Sequence, residues 1–120
     1  MGASVKRPAE LTPGAPTPGM KRMEAFSAED RWVGHVSGEP GVLSGWHHHG
    51  EHDTYFYVLS GRGRIELQGG ELIEVGPGDF AQIAAGTVHR EGASGDEPLE
   101  VVLMRIGRGP QVFPVDDPGS

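Results

Sequence analysis

From Trp32 to Ile106 short apolar runs alternate with clusters of glycine, proline and polar residues, and no stretch sustains a 3.6-residue period. Trp32-Val-Gly-His35-Val36 predicts a first strand, closed by Ser-Gly-Glu-Pro-Gly. Val42 to His48 predicts the next, and after a polar turn over residues 50–53 the aromatic and β-branched run from Tyr55 to Leu59 predicts another. Arg64-Ile-Glu-Leu-Gln68 alternates polar and apolar, the mark of a half-buried strand. Residues 71–75, 80–83, 88–91 and 99–106 supply further strands, punctuated by Ser60-Gly61, Gly69-Gly70 and Gly76-Pro77-Gly78-Asp79. Roughly eight strands with turns every 6–12 residues predict an all-β sandwich or closed barrel.

The ends of the chain read differently. Residues 1–22 carry Pro8, Pro13, Pro16 and Pro18 with Gly14 and Gly19, and predict a disordered or extended tail outside the core. Residues 24–30 predict one helical turn or a loop, residues 23–110 a single barrel domain, and residues 111–120 a C-terminal tail. A length of 120 residues allows one domain with a modest core. With 36% hydrophobic residues, 20 glycines and 10 prolines, the composition suits short strands and tight turns better than a helix bundle. The net charge of −7 is uneven, with +3 in residues 1–22 and −10 in the rest. An acidic body without a basic stripe argues against a nucleic-acid partner. The absence of cysteine excludes disulfides and thiolate chemistry. No apolar stretch is long enough to span a membrane, and no signal-peptide core precedes the body, so a soluble, cytoplasmic protein without a membrane partner is expected.

Candidate chemistry is concentrated in one place. Four of the six histidines (His47, His48, His49 and His52) lie within six residues. Side chains alternate faces along a strand, so His47 and His49 share a face and His48 takes the other. Two imidazoles on one face of a rigid strand can reach one metal ion, and His89 in a second glycine-punctuated segment is the natural third ligand. His48 and His35 are expected at the surface or in structural roles. Trp46, Phe56, Tyr57, Phe80 and Met104 are expected in core or dimer packing. If Thr54 faces inward, so do Phe56 and Val58, which with Gln82 would line a pocket.

These two segments resemble the motifs of the cupin superfamily of double-stranded β-helix, or jelly-roll, barrels. Gly41, His47, His49, Thr54 and Gly61 keep every spacing of its first motif, and Gly78, Ala84, Gly86, His89 and Ala93 those of its second. Three residues depart from the pattern: Thr54 stands for its glutamate, Ala84 for its proline and Ala93 for its asparagine. The resemblance implies a jelly-roll barrel over about residues 32–107 and one divalent transition metal per chain. Iron is favoured by that resemblance, with zinc, nickel, manganese or copper as alternatives. The motif glutamate usually completes the metal shell. With Thr54 in its place, His52 is the candidate fourth ligand, ahead of Asp53, and an open position filled by water is the remaining choice. Glu91, two residues beyond His89, could face the same interior as a carboxylate base or as a partner to the ligands.

Three functions follow as expectations: a metal-dependent, non-haem-iron-type dioxygenase acting on a small organic molecule, a non-redox isomerase, lyase or cyclase, or a small-molecule binding module without turnover. A homodimer is also expected, because so small a jelly roll leaves an exposed strand edge that a second copy can pair.

Overall fold

The computed structural model describes residues 2–15 and 17–118. A 3-10 turn over Pro8–Glu10 precedes the strands β1 (Thr12–Pro13), β2 (Met20–Ala28), β3 (Arg31–Gly38), β4 (His47–His48), β5 (Asp53–Ser60) and β6 (Gly63–Leu67). After these come β7 (Leu72–Val75), β8 (Phe80–Ile83), β9 (His89–Ala93), β10 (Leu99–Ile106) and β11 (Phe113–Pro114). They form two antiparallel sheets, one in the order β1-β2-β3-β10-β5-β8 and the other β11-β4-β9-β6-β7. The chain crosses repeatedly from one sheet to the other, as the two layers of a double-stranded β-helix require. The fold is all-β.

Alternation builds the core. In β5 Thr54, Phe56 and Val58 are buried while Tyr55 and Leu59 are exposed, and in β3 Trp32 and Val36 point inward. Together with Ile65, Val75, Ile83 and Val101 these apolar side chains make one cluster between the sheets. Each such side chain, taken fully out of water, contributes about 1.5–3 kcal/mol.

Three segments depart from the pattern read in the sequence. β2 begins at Met20, inside the predicted tail, and runs through the stretch predicted as a helical turn or loop. Thr17-Pro18-Gly19-Met20 is the reason. Proline at the second position and glycine at the third, with Gly19 at φ +76°, suit a tight turn that Met20 N–H closes onto the Thr17 carbonyl at 3.0 Å. The chain then pairs with β3 from Met20↔Gly38 to Ala28↔Arg31, with a bulge near Ala25. Backbone pairing does not need an apolar pattern, so composition hid this strand.

The predicted strand from Val42 to His48 shrinks to β4, because the chain upstream crosses close over β9. Only isolated bridges, Pro40↔Ala93 and Leu43↔Gly92, join the two there. Gly92 permits the crossing: a Cβ at that position would collide with the Val42 carbonyl and lie 3.0 Å from Leu43 Cα. At the other end of the chain, β11 pairs with β4, and the Phe113 ring stacks on His48 at 4.8 Å with 9° between the planes. The segment after residue 110 therefore braces the strand that carries the histidines.

Candidate metal centre

β4 and β9 set the site. His47 pairs directly with His89 in the sheet register, and His49 follows two residues after His47 on the same face. One ring nitrogen from each of His47, His49 and His89 can be chosen so that all three lie within 4.8 Å of one another. His49 and His89 are buried, and the side chain of His47 is 11% exposed.

Each Nδ1 is held by a backbone carbonyl: His47 by Gly45 at 2.7 Å, His49 by Gln111 at 2.7 Å, and His89 by Thr87 at 2.8 Å. A carbonyl oxygen only accepts, so Nδ1 carries a proton in each ring and Nε2 is the nitrogen free to bind an ion whenever the ring is neutral. Three imidazoles gathered with Nδ1 so held are a donor set suited to a transition-metal ion. Nε2 of His89 is buried without a hydrogen-bond partner, and such a nitrogen fits a bond to a metal ion.

Glu91 reaches the same point from β9. Its Oε2 lies 2.9 Å from His89 Nε2, and its Oε1 3.6 Å from His47 Nε2. Neither His89 Nε2 nor Glu91 Oε2 has another polar partner, so this pair is the closest charged contact inside the cluster. Ser44 fixes the backbone of Glu91 from both sides, with Ser44 N–H donating to the Glu91 carbonyl at 2.8 Å and Glu91 N–H to Ser44 Oγ at 3.0 Å. Nothing in the sequence pattern marked Ser44.

The electrostatics follow from burial and from these neighbours. Burial lowers the pKa of His47, with Glu91 opposing. His49 is pushed down to about 3, by burial first and then by the Arg105 charge. Burial also works against protonation of His89, but the Glu91 carboxylate outweighs it and raises that pKa. Burial would raise Glu91, yet the three imidazoles more than offset it, His89 foremost, and bring it down to about 2.

Other residues singled out in the sequence fall elsewhere. His52 is buried, but its Nδ1 meets the His49 carbonyl at 3.0 Å, and it is not one of the clustered imidazoles. Its ring packs beside Gly107. Asp53 accepts from Ala85 N–H at 2.9 Å. Phe56 lines the cavity beside the histidines, whereas Val58 lies fully buried in the core and is not on the cavity wall. Gln82 is exposed and donates to the Tyr55 hydroxyl at 3.3 Å; its neighbour Ile83 is the inward residue of β8. His35 pairs with Glu100 at 3.0 Å, away from the cluster.

Thr54, at the position of the motif glutamate, is 2% exposed, and its hydroxyl accepts a hydrogen bond from Arg105 Nε at 3.1 Å. Arg105 was missed as a site residue. Its strand parity with Val101 and Leu103 was the available signal, since all three turn inward. The cavity that His47, His49, Thr54, Glu91 and Arg105 share measures about 1050 Å³.

Fold and site together define a small jelly-roll barrel with a buried three-histidine cluster at the head of an internal cavity. The family model for the cupin domain matches residues 34–105, and the chain belongs to the cupin family. Among solved structures it is similar to a double-stranded β-helix protein from Klebsiella pneumoniae subsp. pneumoniae, with a TM-score of 0.73 and 23% identity over 86% of this chain and 90% of that one. It is similar to KdgF from Halomonas sp., with a TM-score of 0.72 and 26% identity over 88% of this chain and 96% of that one. Oxalate decarboxylase from Bacillus subtilis, a protein with Mn(II) centres, matches with a TM-score of 0.71 and 20% identity over 83% of this chain but 29% of its own length. No curated protein matches the chain by sequence. No helix among the described residues is long and apolar enough to cross a membrane.

Proposed function

We propose that this cupin is a mononuclear metal-dependent enzyme acting on a small organic molecule, with dioxygen-dependent oxidation as the leading reaction class. The observation that carries the reading is the set of three Nδ1-tethered imidazoles gathered at one point beside a cavity of about 1050 Å³. His47, His49 and His89 would hold the ion. A bound metal there supplies Lewis acidity and, if it is iron, a means of activating dioxygen. Thr54 supports open positions for substrate, since it cannot contribute the carboxylate that the family motif places there. The residues around the cluster have separate tasks. Trp32, Phe56 and Ile83 line the cavity with apolar surface and exclude water from the reacting groups. Glu91, 2.9 Å from His89 Nε2, is the carboxylate placed to exchange a proton with a bound substrate.

Glu91 also favours the second reading, a non-redox isomerase or lyase. A buried carboxylate next to the metal ligands is what proton abstraction beside a polarised carbonyl needs, and no dioxygen enters that reaction. Elemental analysis of the protein prepared without a histidine tag, followed by oxygen-electrode assays, separates the readings. About one iron per chain with substrate-dependent oxygen uptake is the expected result. Zinc, nickel or manganese at that level without uptake would move the assignment to the second reading. Failure to take up any of these metals on reconstitution would overturn both.

We also propose a homodimer, formed through the outer face of the six-stranded sheet. Tyr55, Leu59, Phe80, Val102, Met104 and Ile106 are exposed large apolar side chains on its strands, and Phe80 is 84% exposed. A contiguous apolar face of this kind marks an interaction surface on a small protein. Size-exclusion chromatography with light scattering should give twice the chain mass of 12.8 kDa. A monomer mass at micromolar concentration would rule the dimer out.

A further inference from the structure

Arg105 carries the buried charge that the metal-site reading does not use. It is 7% exposed, it sits opposite Thr54 in the β10–β5 register, and it lines the cavity. Its Nε donates to Thr54 Oγ1 at 3.1 Å and its Nη1 reaches Gln111 Oε1 at a long 3.4 Å. No ion pair within 4 Å is formed by its guanidinium among the described residues. Glu91 acts on it only from farther away, and the Glu24 carboxylate accepts from the Trp32 indole N–H at 2.8 Å. A second guanidinium, Arg22, lines the same cavity, anchored by Thr17 Oγ1 at 2.7 Å.

A guanidinium stays charged under all ordinary conditions, and burying one without an anion is costly. The position facing Arg105 is the one where the family motif has its glutamate, and there the chain has a neutral threonine. Glu91 acts on Arg105 without touching it, so contact pairing is left for a ligand anion to provide. Gln111 ties this cation to the histidine cluster: its carbonyl holds His49 Nδ1 at 2.7 Å, while its side chain reaches Arg105. A ligand group seated on Arg105 thus lies next to the imidazoles. The rest of the wall is largely apolar, with Trp32, Phe56, Leu99 and Leu103, and a cavity of about 1050 Å³ is far larger than a carboxylate alone needs.

We propose that Arg105 is the anchor for the carboxylate of a small organic acid whose apolar body fills the cavity walled on one side by β3, β10 and β5. The inference deepens the enzyme reading and rests on it for the statement that this acid is the substrate. The anion site itself stands on Arg105 and Thr54.

Isothermal titration calorimetry with 3-phenylpropanoate and with its methyl ester tests it, using the protein as isolated, Arg105→Gln, and a His47→Ala/His49→Ala variant. The acid should bind the parent about thirtyfold more tightly than the ester, the scale of a charge-assisted hydrogen-bonded pair. Arg105→Gln should abolish that preference with the metal content unchanged. The double histidine variant should keep it, so a failed metal site and a failed anion site give different results. Equal affinity for acid and ester in the parent, or no saturable binding of the acid up to about 20 mM, would overturn the proposal. So would an Arg105→Gln variant that binds the acid as tightly as the parent. If Arg105→Gln does not fold, Thr54→Val takes its place: removing the acceptor of Arg105 Nε at nearly constant volume should weaken acid binding severalfold and leave ester binding unchanged, and no change in either would count against the anchor.

Discussion

Replacing His47 and His49 together with alanine is expected to empty the metal centre while leaving the barrel folded. These residues supply two of the three clustered imidazoles, and His89 alone cannot retain an ion against buffer and chelator. Loss of two ligands should lower metal affinity by on the order of a thousandfold or more. Elemental analysis should then fall from about one metal per chain to less than about a tenth. The cost to the fold is smaller. Each truncation frees one carbonyl, and the cost is small because the Gly45 carbonyl is open to water and the Gln111 carbonyl only part-buried, at about 1 kcal/mol or less each. The circular dichroism spectrum should match that of the parent, and the thermal shift that added metal gives the parent should vanish. A variant that keeps its metal would place the ligands elsewhere, His52 and Asp53 first among them.

The second large effect is on acid stability. In metal-free protein, chelator-treated to expose the imidazoles, the unfolding free energy should fall as pH drops below 6.5. His49 has a folded pKa of about 3 against an ordinary 6.5, because burial and then Arg105 disfavour its cation. Between those values the unfolded chain binds a proton that the folded chain refuses, so stability rises with pH across that window and is lost on acidification. At 1.36 kcal/mol per pH unit, His49 alone costs about 2 kcal/mol by pH 5. His47, also lowered by burial, adds in the same direction. His89 opposes them: its raised pKa contributes stability that is full below 6.5 and lost as pH rises through its folded value. Glu91, lowered to about 2, contributes stability that is present above the ordinary carboxylate range and lost only as pH falls toward 2. Urea denaturation at pH 7, 6 and 5 reads the sum. With His49 replaced by glutamine the slope should flatten markedly, and an unchanged slope would assign the acid sensitivity to other groups.

Much of the barrel was legible because its turns are chemically explicit. Gly76-Pro77-Gly78-Asp79 and Ser60-Gly61 bound strands whose alternating burial follows directly from the pattern. The histidine cluster was legible because two-residue spacing in a strand is a geometric statement. β2 was not, since Met20, Arg22 and Glu24 turn mixed polarity toward a cavity, and a strand with a polar inner face has no contrast to detect. The same lack of contrast concealed Arg105. In β10 the outward Val102, Met104 and Ile106 are as apolar as the inward Val101 and Leu103, so a charge near the strand end looked solvated. Gln82 lies on the outer face because Ile83 is the inward residue of β8, and an error of one residue reverses the face. His52 is buried, as parity with Thr54 suggests, but its Nδ1 is held by the His49 carbonyl.

The three carbonyls that hold the imidazoles, from Gly45, Thr87 and Gln111, belong to the main chain. A point mutation replaces a side chain and leaves the carbonyl where it was. The orientation of the donor set is thus largely insulated from sequence drift at those three positions, as long as the backbone keeps its course. The groups that would select a substrate have no such insulation: Thr54, Arg105, Arg22 and Glu91 act through side chains, each one codon change from something else. A lineage with this architecture can change what its cavity accepts by ordinary substitution while the geometry of its imidazole cluster stays in place.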